Sequence, residues 1–154
     1  MKEFIKKGEQ APDFDLVDQN GEHVKSEDLK GKKYFLSWHP LAFTPVCTDQ
    51  MRALERNYET FEKNHILPFG VSVDPQPAKK AWAQALCLSN LRILSDFHPL
   101  GEMSKAFGIF KEDSGASGRG CVLIDENGKV LWSKEYEPSQ LPDIHEILDV
   151  IKKS

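Results

Sequence analysis

Apolar runs separated by turn signals, together with longer helical patterns, predict the elements of this 154-residue chain. Residues 34–38 and 66–73 are mainly apolar, which is typical of strands buried on both faces, and Pro68 restricts pairing near the start of the second. Between them, residues 45–63 carry apolar side chains at helical spacing, with Pro45 in first position. The order strand, helix, strand predicts a parallel pair joined by a crossover helix.

The segments on either side of this unit carry weaker patterns. Residues 11–24 predict an N-terminal hairpin, residues 121–132 predict a second hairpin, and a C-terminal helix begins near Pro142. A helix after residue 77 is expected to bury one face made of Ala78, Ala81, Trp82, Ala85 and Leu86. Residues 26–31 predict a short helical turn, 91–94 a short strand, 100–107 a short helix and 113–118 a flexible loop.

These elements predict one α/β domain over residues 1–154, since no repeat or linker divides the chain. The parallel unit followed by a hairpin and a helix indicates a thioredoxin-like fold, with a central mixed sheet flanked by helices. The N-terminal hairpin is an extension of that plan.

Composition and charge narrow the function. A net charge of −4 with no basic cluster argues against a nucleic-acid or membrane-surface partner. No apolar run has the length of a membrane span, and the N-terminus has no secretory pattern. The three cysteines are far apart and include no Cys-x-x-Cys pair, which favours a reducing compartment, namely the cytoplasm.

Cys47 is the residue whose position indicates chemistry. Thr44 and Pro45 form a helix-start signal, in which the threonine side chain is expected to cap the first turn. Cys47 then lies in that first turn, where free N–H groups and the helix dipole favour an anion such as a thiolate. Cys47 also begins an apolar stripe with Met51, Leu54, Tyr58 and Phe61, so a buried structural thiol is an equally good interpretation of the helix alone.

The motif around Cys47 resembles the active-site motif of the peroxiredoxin family, Pro40-x-x-x-Thr44-x-x-Cys47. Further segments are similar to that family in the same order and span nearly all of the chain: Ala11-Pro12-Asp13-Phe14, Asp28-Leu29-Lys30-Gly31-Lys32, Leu94-Ser95-Asp96 and Arg119-Gly120-Cys121-Val122-Leu123-Ile124-Asp125. The likeness is closest to bacterial one-cysteine or bacterioferritin-comigratory-type members.

The resemblance implies a thiol peroxidase that reduces hydrogen peroxide and organic hydroperoxides without a cofactor. Cys47 would be the peroxidatic cysteine that becomes a sulfenic acid. Thr44 and Arg119 would contact the sulfur and the peroxide, and Pro40 would shield the pocket. An external thiol of the thioredoxin, glutaredoxin or low-molecular-weight type would regenerate the enzyme, and the resemblance also implies a homodimer, for which Phe43 and Trp82 are candidate surface residues that fit the core equally well.

Several positions leave alternatives open. Gln50 stands where the family often has glutamate, and His39 stands where it usually has an aromatic residue. A histidine there could exchange protons near the pocket, but the favoured interpretation is a ring that fills the aromatic slot and is hydrogen-bonded locally. Cys121 lies in a buried strand and is expected to be inert. Cys87 is a candidate resolving cysteine, although one-cysteine chemistry is favoured over a Cys47–Cys87 disulfide.

Two other functions compete with the peroxidase. A thiol–disulfide oxidoreductase is disfavoured because fast exchange needs a nearby second thiol. A non-catalytic interaction domain is disfavoured because packing alone does not require Pro40, Thr44, Cys47 and Arg119 together. The histidines show no ligand spacing with a cysteine, so no metal is expected.

Overall fold

The computed structural model describes residues 2–154, in which seven strands form one mixed sheet. Its strands, in chain order, are β1 (Asp15–Val17), β2 (His23–Lys25), β3 (Lys33–Trp38), β4 (Ile66–Ser72), β5 (Arg92–Ser95), β8 (Arg119–Ile124) and β9 (Val130–Tyr136). Between β5 and β8 in the chain, β6 (Phe110–Lys111) and β7 (Ala116–Ser117) form a separate two-stranded sheet. The order across the main sheet is β2-β1-β5-β4-β3-β8-β9, which confirms the predicted mixed sheet and both hairpins.

The centre of the sheet is parallel. Strand β4 pairs in parallel with both β3 and β5, which aligns Trp38 with Val71 and Val71 with Leu94. The carboxyl ends of these three strands therefore meet at one edge of the sheet. The predicted parallel pair is confirmed, and the candidate site lies at that edge.

Five helices and one 3₁₀ turn flank the sheet. They are α1 (Pro45–Arg56), α2 (Tyr58–Lys63), α3 (Gln76–Ala85), α4 (Glu102–Ala106), α5 (Ile144–Lys153) and the turn Ser26–Leu29. The prediction of one helix over residues 45–63 is wrong, because Asn57 breaks it with φ −107° and ψ 13°. The Asn57 side-chain amide donates to the Ala53 carbonyl at 2.8 Å, so asparagine ends α1 through a local hydrogen bond. Within residues 2–154 no helix is both long enough and apolar enough to span a bilayer.

The buried face of α3 also differs from the prediction. Ala81 and Ala85 are exposed, whereas Lys79, Trp82 and Ala83 are buried. Lysine is rarely buried, so the hydrophobic pattern places Lys79 on the solvent side of the helix. The predicted buried face is therefore displaced from the observed one by about one residue, which is about 100° around the helix axis. A charged side chain therefore lies between α3 and the sheet.

Residues 113–118 are not simply a loop. Ala116 and Ser117 form strand β7, which pairs with β6, and both residues are buried. The Ser117 hydroxyl donates to the His39 carbonyl at 3.1 Å, which ties this hairpin to the end of β3.

The apolar side chains form two main clusters on opposite faces of the sheet. Alternation along β3 places Leu36 and Trp38 in the first cluster and Phe35 in the second. The second cluster also includes Cys47 of α1, Trp82 of α3, Ile147 of α5 and Cys121 of β8. The face of the sheet that α1, α3 and α5 cover is therefore the face that holds the candidate nucleophile.

Candidate active site

Cys47 lies in the first turn of α1, close to the carboxyl end of β3. Thr44 takes the N-cap position with extended backbone angles, Pro45 is the first helical residue, and the Cys47 side chain is 0% exposed. The first-turn N–H groups of a helix have no partners within the helix, and its dipole is positive at this end. A negative charge in the first turn of a helix is stabilised by both features.

The Thr44 side chain does not cap the helix, so that prediction is wrong. Its hydroxyl instead donates to the carbonyl of Leu41 at 2.7 Å, within the loop that precedes α1. The backbone carbonyl of Thr44 begins the helix by accepting from the Thr48 N–H at 2.9 Å. Because the Thr44 hydroxyl donates its hydrogen bond to the Leu41 carbonyl, the lone pairs of Thr44 Oγ1 can accept from a donor outside the helix.

Arg119 contacts the Cys47 sulfur although the two residues are 72 positions apart in the chain. On β8, Arg119, Cys121 and Leu123 alternate onto the face that α1 covers. Its Nη1 donates to Cys47 Sγ at 3.3 Å, and the side chain is only 3% exposed. A buried guanidinium therefore faces the sulfur from the sheet, while the helix N-terminus faces it from the other side.

Gln50 holds that guanidinium in place. Its Oε1 accepts from Arg119 Nη1 at 2.7 Å, and its Nε2 donates to Ser37 Oγ at 2.6 Å and to the Trp38 carbonyl at 3.0 Å. Glutamine at this position therefore bridges Arg119 and β3 in spite of the missing carboxylate. Because this partner is neutral, the positive charge of Arg119 stays available to a thiolate.

The carbonyl of Pro138 supplies the second anchor for Arg119. It accepts from Nη2 at 2.7 Å and from Nε at 3.2 Å, in the segment that follows β9. With Gln50 on one side and Pro138 on the other, the planar guanidinium is held in one orientation. Sequence reasoning missed Pro138, since no pattern identifies a backbone acceptor in an exposed segment.

The loop between β3 and α1 is held by Asp74 after β4. Asp74 Oδ2 accepts from the Ala42 N–H at 2.8 Å and from Ser72 Oγ at 2.5 Å. Within the loop, Phe43 takes a left-handed conformation with φ +67°, which non-glycine residues adopt rarely, and its side chain is 59% exposed. Asp74 is not among the predicted site residues, although a polar residue that closely follows a parallel strand is a candidate for a site at that edge of the sheet.

A surface cavity of about 660 Å³ lies beside the site. Pro40 and Arg119 line it together with Tyr136, Glu135 and Lys111. Cys47 is buried behind this lining, in contact with Arg119. Pro40 is half-buried where it lines this cavity.

His39 fills the slot before Pro40 as a buried ring. It is 0% exposed, its centroid lies 5.1 Å from that of Trp82, and its Nε2 lies 3.2 Å from Lys79 Nζ. Burial, with the nearby positive charges of Lys79 and Arg119, holds the pKa of His39 well below its ordinary value. The ring is therefore neutral at pH 7.

The other two cysteines lie in very different surroundings. Cys121 is 0% exposed beside Ser37 Oγ at 3.4 Å, and burial raises the pKa of its thiol to about 12, so it stays a neutral, unreactive thiol. Cys87 is exposed just beyond α3. Helix α3 begins at the carboxyl edge of the sheet and its 10 residues extend about 15 Å, so Cys87 lies towards the edge opposite Cys47.

The structure thus brings together Pro40, Thr44, Cys47 and Arg119, and it leaves Cys87 apart. The same region contains residues that the sequence analysis did not select, namely Ser37, Asp74, Lys79 and Pro138. Over residues 2–154, no three His, Cys, Asp or Glu side chains are grouped as metal ligands. The site presents one cysteine sulfur beside a fixed hydrogen-bond donor of Arg119.

Known proteins are similar to this chain in sequence. The model of the AhpC/TSA family matches residues 7–133. The chain is 34% identical to alkyl hydroperoxide reductase E of Mycobacterium bovis over 137 residues, which covers 88% of this chain and 89% of that protein. It is 32% identical to a peroxiredoxin of Thermoplasma volcanium over 150 residues, covering 94% and 72%.

Solved structures share the fold. Peroxidoxin BcpB from Mycobacterium tuberculosis superposes with a TM-score of 0.86 at 23% identity, covering 97% of each chain. The reduced 2-Cys peroxiredoxin of Plasmodium vivax gives a TM-score of 0.84 at 29% identity, covering 96% of this chain and 81% of that one. The predicted thioredoxin-like class is confirmed by these neighbours.

Proposed function

The chain belongs to the AhpC/TSA family and is a thiol-dependent peroxidase, and on this premise we propose that Cys47 is its peroxidatic cysteine. The observation that supports the assignment best is the 3.3 Å contact between Arg119 Nη1 and Cys47 Sγ at the start of α1. Neither of the other two thiols combines a helix N-terminus with a buried cation. Low-pKa cysteines are typically found in such electropositive surroundings.

The proposed reaction is a displacement at oxygen. The Cys47 thiolate attacks the terminal peroxide oxygen, the O–O bond breaks, and an alkoxide or hydroxide leaves and takes up a proton. Negative charge that develops on the two oxygens is stabilised by Arg119 and by the first-turn amides of Val46 and Cys47. The Thr44 oxygen accepts a hydrogen bond from the peroxide O–H, which orients it for attack. The peroxide enters between Pro40 and Arg119, from the cavity that they line.

An external thiol completes the cycle in this proposal. Its thiolate attacks the sulfenic sulfur, water leaves, and a second thiol releases Cys47 from the mixed disulfide. The candidate reductants are thioredoxin-type proteins, glutaredoxin-type proteins and low-molecular-weight thiols. The three free cysteines are consistent with a reducing compartment such as the cytoplasm.

Turnover with a chemical reductant tests the proposed activity. With dithiothreitol present, the protein is expected to consume many equivalents of hydrogen peroxide and of an organic hydroperoxide. Consumption of no more than one equivalent per chain, with each peroxide, would overturn the proposal.

We further propose that Cys87 does not resolve the sulfenic acid. A disulfide needs Cα atoms within about 7 Å, whereas Cys87 follows the end of α3 that is remote from Cys47. After peroxide treatment without reductant, peptide mass spectrometry is expected to show a sulfenic or sulfinic Cys47 and an unmodified Cys87. A peptide that links Cys47 to Cys87, absent from a Cys87→Ser control, would refute one-cysteine chemistry.

The protein is also proposed to form a homodimer through the loop that precedes α1. Trp82 is buried in the core, but Phe43 is 59% exposed and Leu41 is 45% exposed, which places an apolar surface beside the site. We expect Phe43→Asp to shift the sedimentation coefficient from a dimer to a monomer while the Tm changes little, because the side chain makes few core contacts. Leu141→Asp, at a residue also 45% exposed, is the matched control and should remain dimeric. A Phe43→Asp protein that sediments like the Leu141→Asp control would exclude this interface.

A further inference from the structure

Lys79 is a fully buried amine beside the site, and the proposed chemistry has no use for it. It is 0% exposed on the inner face of α3, and its Nζ lies 3.2 Å from His39 Nε2. An ammonium carries three donors, and within residues 2–154 His39 is the only hydrogen-bond partner of this one. A charged lysine held this way is poorly compensated, so the neutral amine is close to it in free energy.

The charged and titratable groups around Lys79 come from four elements. Asp74 follows β4, Asp96 follows β5, Cys47 starts α1, and His39 follows β3. Asp74 is hydrogen-bonded to Ala42 N and Ser72 Oγ, while Asp96 accepts from the backbone N–H groups of Met103 and Ser104. Burial lowers the pKa of Lys79 to about 7, against the opposing charges of Asp74, Cys47 and Asp96.

Lys79 and Cys47 share one packed region. Trp82 lies one turn after Lys79 on the same face of α3, and its Nε1 donates to Thr48 Oγ1 at 3.4 Å, next to Cys47 in the chain. Trp82 also belongs to the same apolar cluster as Cys47. Gly70 of β4 keeps this packing close, because a Cβ there would overlap the Met51 sulfur of α1 and press on the His39 ring. Lys79 and Cys47 are both 0% exposed, and charges that are buried from solvent interact more strongly than charges at the surface.

We propose that Lys79 is a proton store for Cys47, and the proposal depends on Cys47 being the peroxidatic cysteine. When the thiol ionises, the Lys79 amine gains one proton, so that an ion pair replaces two neutral groups. When the thiolate takes the terminal oxygen of the peroxide, the sulfur becomes a neutral sulfenic acid and the leaving alkoxide or hydroxide needs one proton. The Lys79 ammonium, which has lost its anionic partner, gives up that proton and the site returns to neutrality. Lys79 does not touch the reacting atoms, so its role is to hold a proton and to stabilise the thiolate.

Lys79→Met tests this role, because methionine keeps an unbranched side chain and removes the titrating group. Lys80→Met, on the exposed face of the same helix, is the matched control. The first readout is the pH dependence of Cys47 alkylation by iodoacetamide, without peroxide. We expect Lys79→Met to move the midpoint to higher pH by about one unit or more, since an opposite charge nearby favours the thiolate. Oxidation by hydrogen peroxide at pH 7 should slow by roughly tenfold in parallel. Profiles that superimpose on those of Lys80→Met would overturn the proposal.

The pH dependence of the Tm provides a second test, because the proposal fixes the direction in which the Tm changes. Between the lowered pKa of Lys79, about 7, and the ordinary lysine pKa of 10.5, the unfolded chain holds a proton that the folded protein lacks. The stability contributed at this site therefore rises with pH across that window. Lys79→Met should raise the Tm most at pH 7 or below, and this gain should shrink towards pH 10. A gain that does not change with pH would show that folding does not lower the pKa of Lys79, which would overturn the proposal.

A measurement on the unsubstituted lysine covers the case in which Lys79→Met fails to fold. With ¹⁵N-labelled lysine, the Lys79 Nζ resonance should titrate near pH 7, and its midpoint should fall in Cys47→Ser, where a neutral hydroxyl replaces the thiolate. An identical midpoint in both proteins would refute the coupling. If Cys47→Ser loses turnover while the Lys79 readouts do not respond, the proton store fails and the peroxidase assignment stands. If the unsubstituted protein shows no turnover, the assignment of Cys47 itself fails.

Discussion

Substitution of Cys47 by serine is expected to abolish peroxide turnover while the fold is retained. A serine hydroxyl is not ionised at neutral pH, so neither the first-turn amides nor Arg119 can make it a nucleophile. We expect the second-order rate constant for hydrogen peroxide to fall on the order of 10⁴-fold or more, a loss of at least about 5 kcal/mol of transition-state stabilisation. Peroxide consumption with dithiothreitol measures the rate, and circular dichroism and the Tm report the fold.

Cys87→Ser is the control for the loss of a sulfur atom. Cys87 is exposed, and the external reductant replaces any resolving thiol, so this variant should turn over as the unsubstituted protein does. A Cys47→Ser protein that keeps its activity would leave a different cysteine as the nucleophile. A non-catalytic domain would show no turnover even before substitution.

Removal of the Arg119 guanidinium is expected to cause the second largest loss in the rate of oxidation by peroxide. Arg119 is buried and holds its donors towards Cys47 without reorganisation during the reaction. Losing one preorganised donor of this kind costs roughly 10²- to 10³-fold in rate. Arg119→Met keeps an unbranched apolar stem in place, and we expect it to slow oxidation by that factor. Because a cation next to the sulfur favours the thiolate, the pH dependence of Cys47 alkylation should also move to higher pH.

Arg52→Met is the matched control, since Arg52 belongs to α1 but is exposed to solvent. Arg119→Lys keeps the charge but cannot reach Cys47, Gln50 and Pro138 together, so its rate should be intermediate. An unchanged rate and an unchanged alkylation profile in Arg119→Met would show that the contact does not contribute to the reactivity of Cys47.

The position of Cys47 in the fold could be predicted from local sequence signals. An apolar run, a Thr-Pro pair and a helical stripe were enough to place Cys47 in the first turn of a helix after a central strand. These signals are short-range, and each depends on residues close together in the chain. The contact with Arg119 is different, because 72 residues separate the pair and only the family resemblance suggested it.

The sequence-based predictions that proved wrong concern the Thr44 cap, the end of α1 and the buried face of α3, and each has a physical cause. Thr44 could satisfy either the helix amides or the Leu41 carbonyl, and the loop geometry decided in favour of the carbonyl. Asn57 ended α1 within a continuous apolar stripe because its side chain competes for a helix carbonyl. The face of α3 was misassigned because a pattern treats lysine as exposed, whereas Lys79 is buried against His39.

Gln50 shows how a departure from the family pattern can be accommodated. An amide offers an acceptor to Arg119 and a donor to β3 at once, so the bridge persists with no carboxylate. A carboxylate there would offset the charge of the guanidinium, whereas glutamine leaves it uncompensated next to Cys47. Sequence alone could identify the change, but only the hydrogen bonds show what it does.

Trapping the first oxidation product identifies the cysteine that reacts with the peroxide. Reduced protein is mixed with one equivalent of hydrogen peroxide in the presence of dimedone, which captures sulfenic acids, and each cysteine peptide is then quantified by mass spectrometry. We predict a dimedone adduct on Cys47, with Cys87 and Cys121 unmodified. Consumption of the peroxide with the adduct on Cys87 or Cys121, or with Cys47 still a free thiol, would contradict the assignment of Cys47 as the reacting sulfur.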